Sequence, residues 1–129
     1  HQGSIMNHRI LIALGTNVGI DNIAKAKKAL KETFADVSFS QTLPTAALGS
    51  KFQGTQFHNA LASGFTTLEA DEVVGRLKNI ERATGDTREL RQDGKVVLDL
   101  DLLKYDDTRF HQADWEREYV RELIAEMTE

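Results

Sequence analysis

The 129-residue sequence contains no cysteine, which excludes disulfide bridges, thiolate nucleophiles and zinc-thiolate centres. It also lacks an excess of basic residues. Sixteen Lys and Arg stand against 20 Asp and Glu, and the formal net charge of -4 argues against a nucleic-acid partner bound by a basic face. No apolar run approaches the roughly 20 residues that span a bilayer. We therefore expect a cytoplasmic protein that acts on small molecules and has neither a membrane nor a nucleic-acid partner.

The length fits one domain with a hydrophobic core of its own. Residues 1–5, which precede Met6, have the composition of an expression-tag remnant, so we predict a single domain over residues 6–129.

Hydrophobic periodicity predicts the element order βαββαβα. The predicted strands cover 8–14, 37–41, 55–65 and 96–104, and the predicted helices cover 23–34, a segment after a Thr66-x-x-Glu69 capping box, and 113–127. The segment 42–54, which contains the only proline, and the polar segment 86–95 are predicted to be loops, the second of them mobile. This order favours an α+β fold, a ferredoxin-like sandwich whose sheet is antiparallel or mixed and whose helices pack mainly on one face.

The most informative segment is Val96–Leu103, an apolar run that contains Asp99 and Asp101. Because side chains alternate along a strand, the two carboxylates share one face and the intervening leucines share the other. Burying two neighbouring anions is costly, and a cation such as Mg²⁺, shared with substrate phosphates, would compensate them. The alternative is an edge strand with one solvated face and no metal.

Six short motifs occur in order between Ile10 and Glu126. They are Ala13-Leu14-Gly15-Thr16-Asn17, Thr45-Ala46-Ala47-Leu48-Gly49, Phe57-His58-Asn59-Ala60, Ile80-Glu81, Leu98-Asp99-Leu100-Asp101, and His111 with Arg117 and Tyr119-Val120. Together they resemble the motifs of the 6-hydroxymethyl-7,8-dihydropterin pyrophosphokinases of folate biosynthesis. The resemblance implies an enzyme that transfers pyrophosphate from ATP to 6-hydroxymethyl-7,8-dihydropterin with Mg²⁺ and releases AMP.

The resemblance also implies a role for individual residues. Asp99 and Asp101 would hold two Mg²⁺ ions and, with Arg117, form the catalytic group. The residues implied for ATP binding are Arg88, His111 and Glu81. The residues implied for pterin binding are Thr45, Leu48, Phe57, Asn59 and Tyr119.

Ordinary structural roles remain open for several of these residues. Phe57 and Asn59 share one face of their strand, where an aromatic ring and an amide can meet one ligand, but a core Phe and an edge Asn fit the same pattern. Arg117 and Arg88 also fit solvated charges, and His111 fits an exposed loop residue.

The chain departs from the family pattern just before the paired aspartates. Asp93 stands at the position where the family has a tryptophan that closes over the pterin. Val96 stands where the family has an arginine, three residues before the first aspartate. Lys95, Arg91 and Arg88 are candidate replacements for that arginine.

Two other functions are considered. A non-catalytic pterin- or nucleotide-binding module on the same fold is the alternative that these departures leave open. An RNA-binding ferredoxin-like domain is disfavoured, because the charge is negative and the strand over 96–104 carries no paired aromatics for base stacking.

Overall fold

A six-stranded antiparallel sheet carries the fold in the computed structural model, which describes residues 6–46 and 55–128. The strands are β1 (His8–Thr16), β2 (Ala35–Phe39), β3 (Leu43–Ala46), β4 (Gln56–Thr66), β5 (Asp99–Tyr105) and β6 (Thr108–Arg109). The helices are α1 (Asp21–Thr33), α2 (Ala70–Thr84), α3 (Arg88–Gln92) and α4 (Glu118–Met127), and a 3-10 helix covers Gln112–Glu116.

The spatial order of the strands is β2-β4-β1-β5-β6, and β3 also pairs with β4. Every pairing is antiparallel. The most apolar strand, β1, lies in the middle of the sheet, and α1 and α2 connect strands that are not neighbours. This arrangement confirms the predicted ferredoxin-like α+β sandwich.

The larger core lies between the sheet and the first two helices. Alternate residues of β1 point to this side, and so do the leucines around the paired aspartates, as the alternation of strand side chains requires. The buried residues of this core include Ile10, Ile12, Leu14, Ile23, Leu30, Leu77, Leu98, Leu100 and Leu102. The helices α1 and α2 thus share one face, as predicted.

The opposite face of the sheet is covered by α4. Val120 and Leu123 of this helix are fully buried and belong to a second cluster with Ala13, Leu61 and Leu103 of the sheet. Because Leu103 lies two residues beyond Asp101, α4 covers the same face that the aspartates occupy. No helix in the described part of the chain is long and apolar enough to cross a membrane.

The prediction of a loop over 42–54 is wrong for residues 43–46, which form β3. The strand β4 is 11 residues long, so its outer edge pairs with β3 over its first residues and with β2 over its later ones. Pro44 is compatible with β3 because an edge strand does not need every backbone N–H. The remaining residues, 47–54, lie outside the described part of the chain.

The predicted capping box at Thr66 and Glu69 is also wrong, because it is displaced by three residues. Thr66 ends β4, and its hydroxyl accepts a hydrogen bond from the Leu68 N–H at 3.1 Å. Glu69 immediately precedes α2, and its N–H donates to Glu72 Oε1 at 3.3 Å. The helix therefore starts one turn later than the sequence pattern suggested.

The segment 86–95 contains α3, although its composition predicted a loop. Thr87 caps the helix by accepting a hydrogen bond from the Leu90 N–H at 3.1 Å. The predicted helix over 113–127 is interrupted at Arg117, whose backbone is extended (φ -72°, ψ 138°) between the 3-10 helix and α4. The first difference places Arg91, and the second places Arg117, at the candidate site described below.

Candidate active site

The candidate site begins on the sheet face that α4 partly covers. In the register of the three central strands, Gly15 lies between Asn59 and Asp99, and Ala13 lies beside Asp101. The small side chains of β1 therefore form a shallow floor between the amide and the two carboxylates. A Cβ at Gly15 would lie 3.3 Å from Asn59 Oδ1. Glycine at this position keeps the floor open.

A cavity of about 260 Å³ lies above this floor. Six of the residues predicted to form the site line it: Phe57, Asn59, Asp99, Asp101, Arg117 and Tyr119. Arg91 and Asp114 line it as well. The cavity thus combines an aromatic and amide end with an end that carries carboxylates and guanidinium groups.

The two aspartates of β5 interact strongly. Burial, the negative charge of Asp99 and a side-chain hydrogen bond with it together raise the pKa of Asp101 to about 8. His111 Nε2 lies 3.9 Å from Asp101 Oδ1, too far for a hydrogen bond. Within residues 6–46 and 55–128, no arginine or lysine pairs with Asp101, which is the condition that favours a bound metal ion beside this carboxylate pair.

The raised pKa of Asp101 predicts that stability without Mg²⁺ depends on pH. The folded protein keeps a proton on Asp101 up to about pH 8, whereas the unfolded chain releases it near 3.8. The folded state therefore binds more protons between these values, so the free energy of unfolding falls by several kcal/mol, at most about 1.4 kcal/mol for each pH unit, as the pH rises from about 4 to about 8. Urea unfolding across this range, with Asp101→Asn as the comparison, measures the fall; parallel profiles for the two proteins would contradict it.

Arg91 connects α3 to the carboxylate end of the cavity. Its Nε donates to Asp86 Oδ2 at 2.7 Å, and its Nη2 donates to the Leu98 carbonyl at 3.1 Å and to Asp99 Oδ1 at 3.3 Å. Glu81 Oε2 lies 3.8 Å from Nη2. Burial lowers the pKa of Arg91, but the hydrogen bond with Asp86 and the nearby carboxylates outweigh it and raise the pKa overall. Arg91 is therefore a permanent cation at this position.

Two buried carboxylates fix the outer edge of β5 and the residues before it. Asp86 Oδ1 accepts hydrogen bonds from the Val97 and Leu98 N–H groups at 3.1 and 3.3 Å. Glu81 Oε2 accepts one from the Leu100 N–H at 2.7 Å, and burial raises the pKa of Glu81. These side chains satisfy backbone donors that an edge strand would otherwise expose. They also determine where Asp99 enters the cavity.

Asn17 connects the end of β1 to the segment before β5. Its amide Nδ2 donates to the Gly94 carbonyl at 2.8 Å, and its Oδ1 accepts from the Val96 N–H at 2.7 Å. The Asn17 N–H donates to the Val96 carbonyl at 3.0 Å. Asn17 belongs to one of the six short motifs, but the motif alone predicts no role for it, because its partners are nearly 80 residues away in the chain.

The other end of the cavity holds the aromatic and amide residues. Asn59 Nδ2 donates to Thr45 Oγ1 at 2.6 Å, so the amide is oriented by β3. The Arg117 guanidinium lies 4.6 Å from the centre of the Tyr119 ring. Burial raises the pKa of Tyr119, which therefore stays neutral at physiological pH. Phe57 and Tyr119 provide two aromatic surfaces suited to a flat heterocycle.

Residues 11–129 match the family model of the 7,8-dihydro-6-hydroxymethylpterin-pyrophosphokinases. The chain belongs to this family. A folate synthesis bifunctional protein from Chlamydia caviae is 33% identical over 133 aligned positions, which cover 92% of this chain and 30% of that protein. The chain thus spans about 30% of the length of this relative.

A solved structure, a dinuclear metal-binding M20-family peptidase from Bacillus subtilis, covers 80% of this chain and 26% of that chain. Its sequence identity is 12% and its TM-score is 0.29. A likeness of this extent supports no functional conclusion.

Not all of the residues expected from the pyrophosphokinase family lie in the cavity. Arg88 is exposed on α3, and Glu81 lies behind β5. His111, half exposed, lies at the rim beside Asp101. Thr45 accepts a hydrogen bond from Asn59 and lines a neighbouring cavity with Arg117 and Tyr119. Leu48 lies outside the described residues.

No tryptophan lines the cavity among the residues that the structure describes. Asp93, at the position of the family's tryptophan, is exposed. Trp115, the single tryptophan of the chain, lines a different cavity, where the Arg109 guanidinium lies 4.1 Å from its ring centre.

Proposed function

We propose that this chain transfers pyrophosphate from ATP to 6-hydroxymethyl-7,8-dihydropterin in a Mg²⁺-dependent reaction that releases AMP. Membership of the pyrophosphokinase family supports this reaction class. The observation that carries the proposal is that one cavity combines the Asp99 and Asp101 carboxylates with Phe57 and Asn59. These are the groups that a metal-bound triphosphate and a pterin would respectively require.

Asp99 and Asp101 fit a Mg²⁺ site shared with substrate. Among the described residues, no group of three or more His, Asp or Glu side chains is arranged to hold a metal ion. Two carboxylates whose remaining ligands come from phosphate and water are typical of Mg²⁺. We propose that they hold two ions, which when bound would neutralise charge on the transferring phosphate oxygens.

The other residues of the cavity would bind and orient the two substrates. The Asn59 amide can both donate to and accept from the edge of a pterin, and Phe57 and Tyr119 can hold its ring. This would place the pterin hydroxymethyl group beside the carboxylate end, where it attacks the β-phosphorus of ATP. Arg117 would contact phosphate oxygens, and His111 at the rim would contact ATP.

The chain's departures from the family pattern support a second candidate. Val96 and Asp93 replace the arginine and tryptophan that close over the substrates in the family. A cavity that keeps its binding residues without them would be a pterin- or nucleotide-binding module with no catalytic turnover. A cytoplasmic location, where ATP is available, fits either function and is part of the proposal.

Incubating the purified protein with Mg²⁺, ATP and 6-hydroxymethyl-7,8-dihydropterin tests the proposal. We expect AMP to form only when both the pterin and Mg²⁺ are present. Calorimetry on the same sample measures pterin binding independently of turnover. Pterin binding without AMP would support the binding module, and absence of AMP formation, of pterin binding and of ATP binding would contradict the two proposals together.

A further inference from the structure

The carboxylate end of the cavity has more carboxylate groups than cationic side chains among the described residues. Asp99, Asp101 and Asp114 all line it. Within the described part of the chain, the cations that line it are Arg91 and Arg117. The position where the family has its arginine is occupied by Val96, which is uncharged. A polyphosphate entering here therefore depends strongly on the two arginines.

Arg91 is held so that one end of its guanidinium faces the cavity. Its Nε is fixed by Asp86 at 2.7 Å, and the Asp86 side chain is only 8% exposed. Its Nη2 lies beside Asp99, and its Nη1 has no hydrogen-bond partner among the described residues. Because this guanidinium is already anchored at one edge, its other N–H donors can bind a ligand with little further loss of side-chain entropy.

We propose that Arg91 binds the phosphate groups of the nucleotide and takes the place of the arginine missing at Val96. The inference rests on the proposed function, since it needs a nucleoside triphosphate in this cavity. The contact with Asp99, at 3.3 Å, is the longest of the three hydrogen bonds of Arg91. A metal ion at Asp99 would compete for this contact. Nη2 would then be free to donate to a phosphate oxygen, while Nε stays hydrogen-bonded to Asp86.

The other two candidate cations are placed differently. Arg88 and Lys95 are exposed, and neither lines the cavity. Arg88 belongs to the same short helix as Arg91 and has the same charge. It is therefore a matched control for effects of net charge and of α3 itself.

Calorimetry with Mg²⁺ and an ATP analogue that has a methylene bridge between its α- and β-phosphates tests the proposal. We expect Arg91→Gln to weaken binding of this analogue by about 10- to 100-fold, the loss of one or two charge-assisted hydrogen bonds. Arg88→Gln should change it by less than about twofold. AMP, which lacks the β- and γ-phosphates, should lose much less affinity on Arg91→Gln.

Equal effects of Arg91→Gln and Arg88→Gln, or an equal loss for AMP and the analogue, would overturn the role of Arg91. If Arg91→Gln does not fold, Arg91→Lys, which keeps a cation beside Asp86, carries the test. A loss of at least about threefold for the analogue alone is then expected, and wild-type affinity for both ligands would overturn the proposal. Failure of the wild-type protein to bind the analogue would instead contradict the proposed function.

Discussion

The variant Asp101→Asn is expected to lower AMP formation by about 100- to 1,000-fold, because a metal ion that neutralises transferring phosphate contributes several kcal/mol to the transition state. Asp101 is the better of the two aspartates to change. Asp99 also forms an ion pair with Arg91, whereas no arginine or lysine of the described residues lies within ion-pair distance of Asp101. Initial rates of AMP formation at saturating ATP, with Mg²⁺ varied, measure the effect.

Asp107→Asn is the matched control, because Asp107 is exposed in the turn after β5 and does not line the cavity. It should leave the rate unchanged. Asp101→Asn should also keep or raise the free energy of unfolding at pH 7 to 8, since the neutral amide does not have to take up the proton that folding places on Asp101 beside Asp99. Loss of stability together with loss of activity would mean that Asp101 has a structural role, and the metal assignment would then fail.

The fold could be predicted from local patterns because its main elements are marked by periodicity alone. The alternation around Asp99 and Asp101 placed both carboxylates on one face and their neighbouring leucines in the core, as the structure shows. The short elements could not be predicted in this way. β3 exists because β4 extends beyond β2, and α3 exists because Thr87 and Asp86 satisfy its polar groups.

The cavity was predictable only in part, for a related reason. Phe57 and Asn59 could be placed on one face of a strand by counting residues, without knowledge of the neighbouring strands. The sequence names Arg91 as one of three candidate replacements for the arginine missing at Val96. It could not single Arg91 out, because the position of this side chain depends on hydrogen bonds with Asp86 and Leu98 and on α3. The role of Asn17 depends on Val96, a contact that spans most of the chain.

Asp86→Ala is expected to lower the free energy of unfolding by about 3 kcal/mol. The Asp86 carboxylate is 8% exposed and accepts hydrogen bonds from two backbone N–H groups and from Arg91. Truncation leaves the N–H groups of Val97 and Leu98 without this acceptor and leaves the Arg91 charge without its closest counterion. Urea unfolding monitored by the fluorescence of Trp115, which lies outside the affected segment, measures the change.

Two further variants separate the contributions of Asp86. Asp86→Asn keeps an oxygen acceptor for the backbone N–H groups but removes the charge opposite Arg91, so its stability should lie between those of the wild type and Asp86→Ala. Asp93→Ala, at an exposed position of the same segment, should change stability by less than about 0.5 kcal/mol. If Asp86→Ala proves as stable as Asp93→Ala, then β5 and α3 do not depend on this carboxylate. The position of Arg91 in the cavity would then need another explanation, since Asp86 is the group that fixes its Nε.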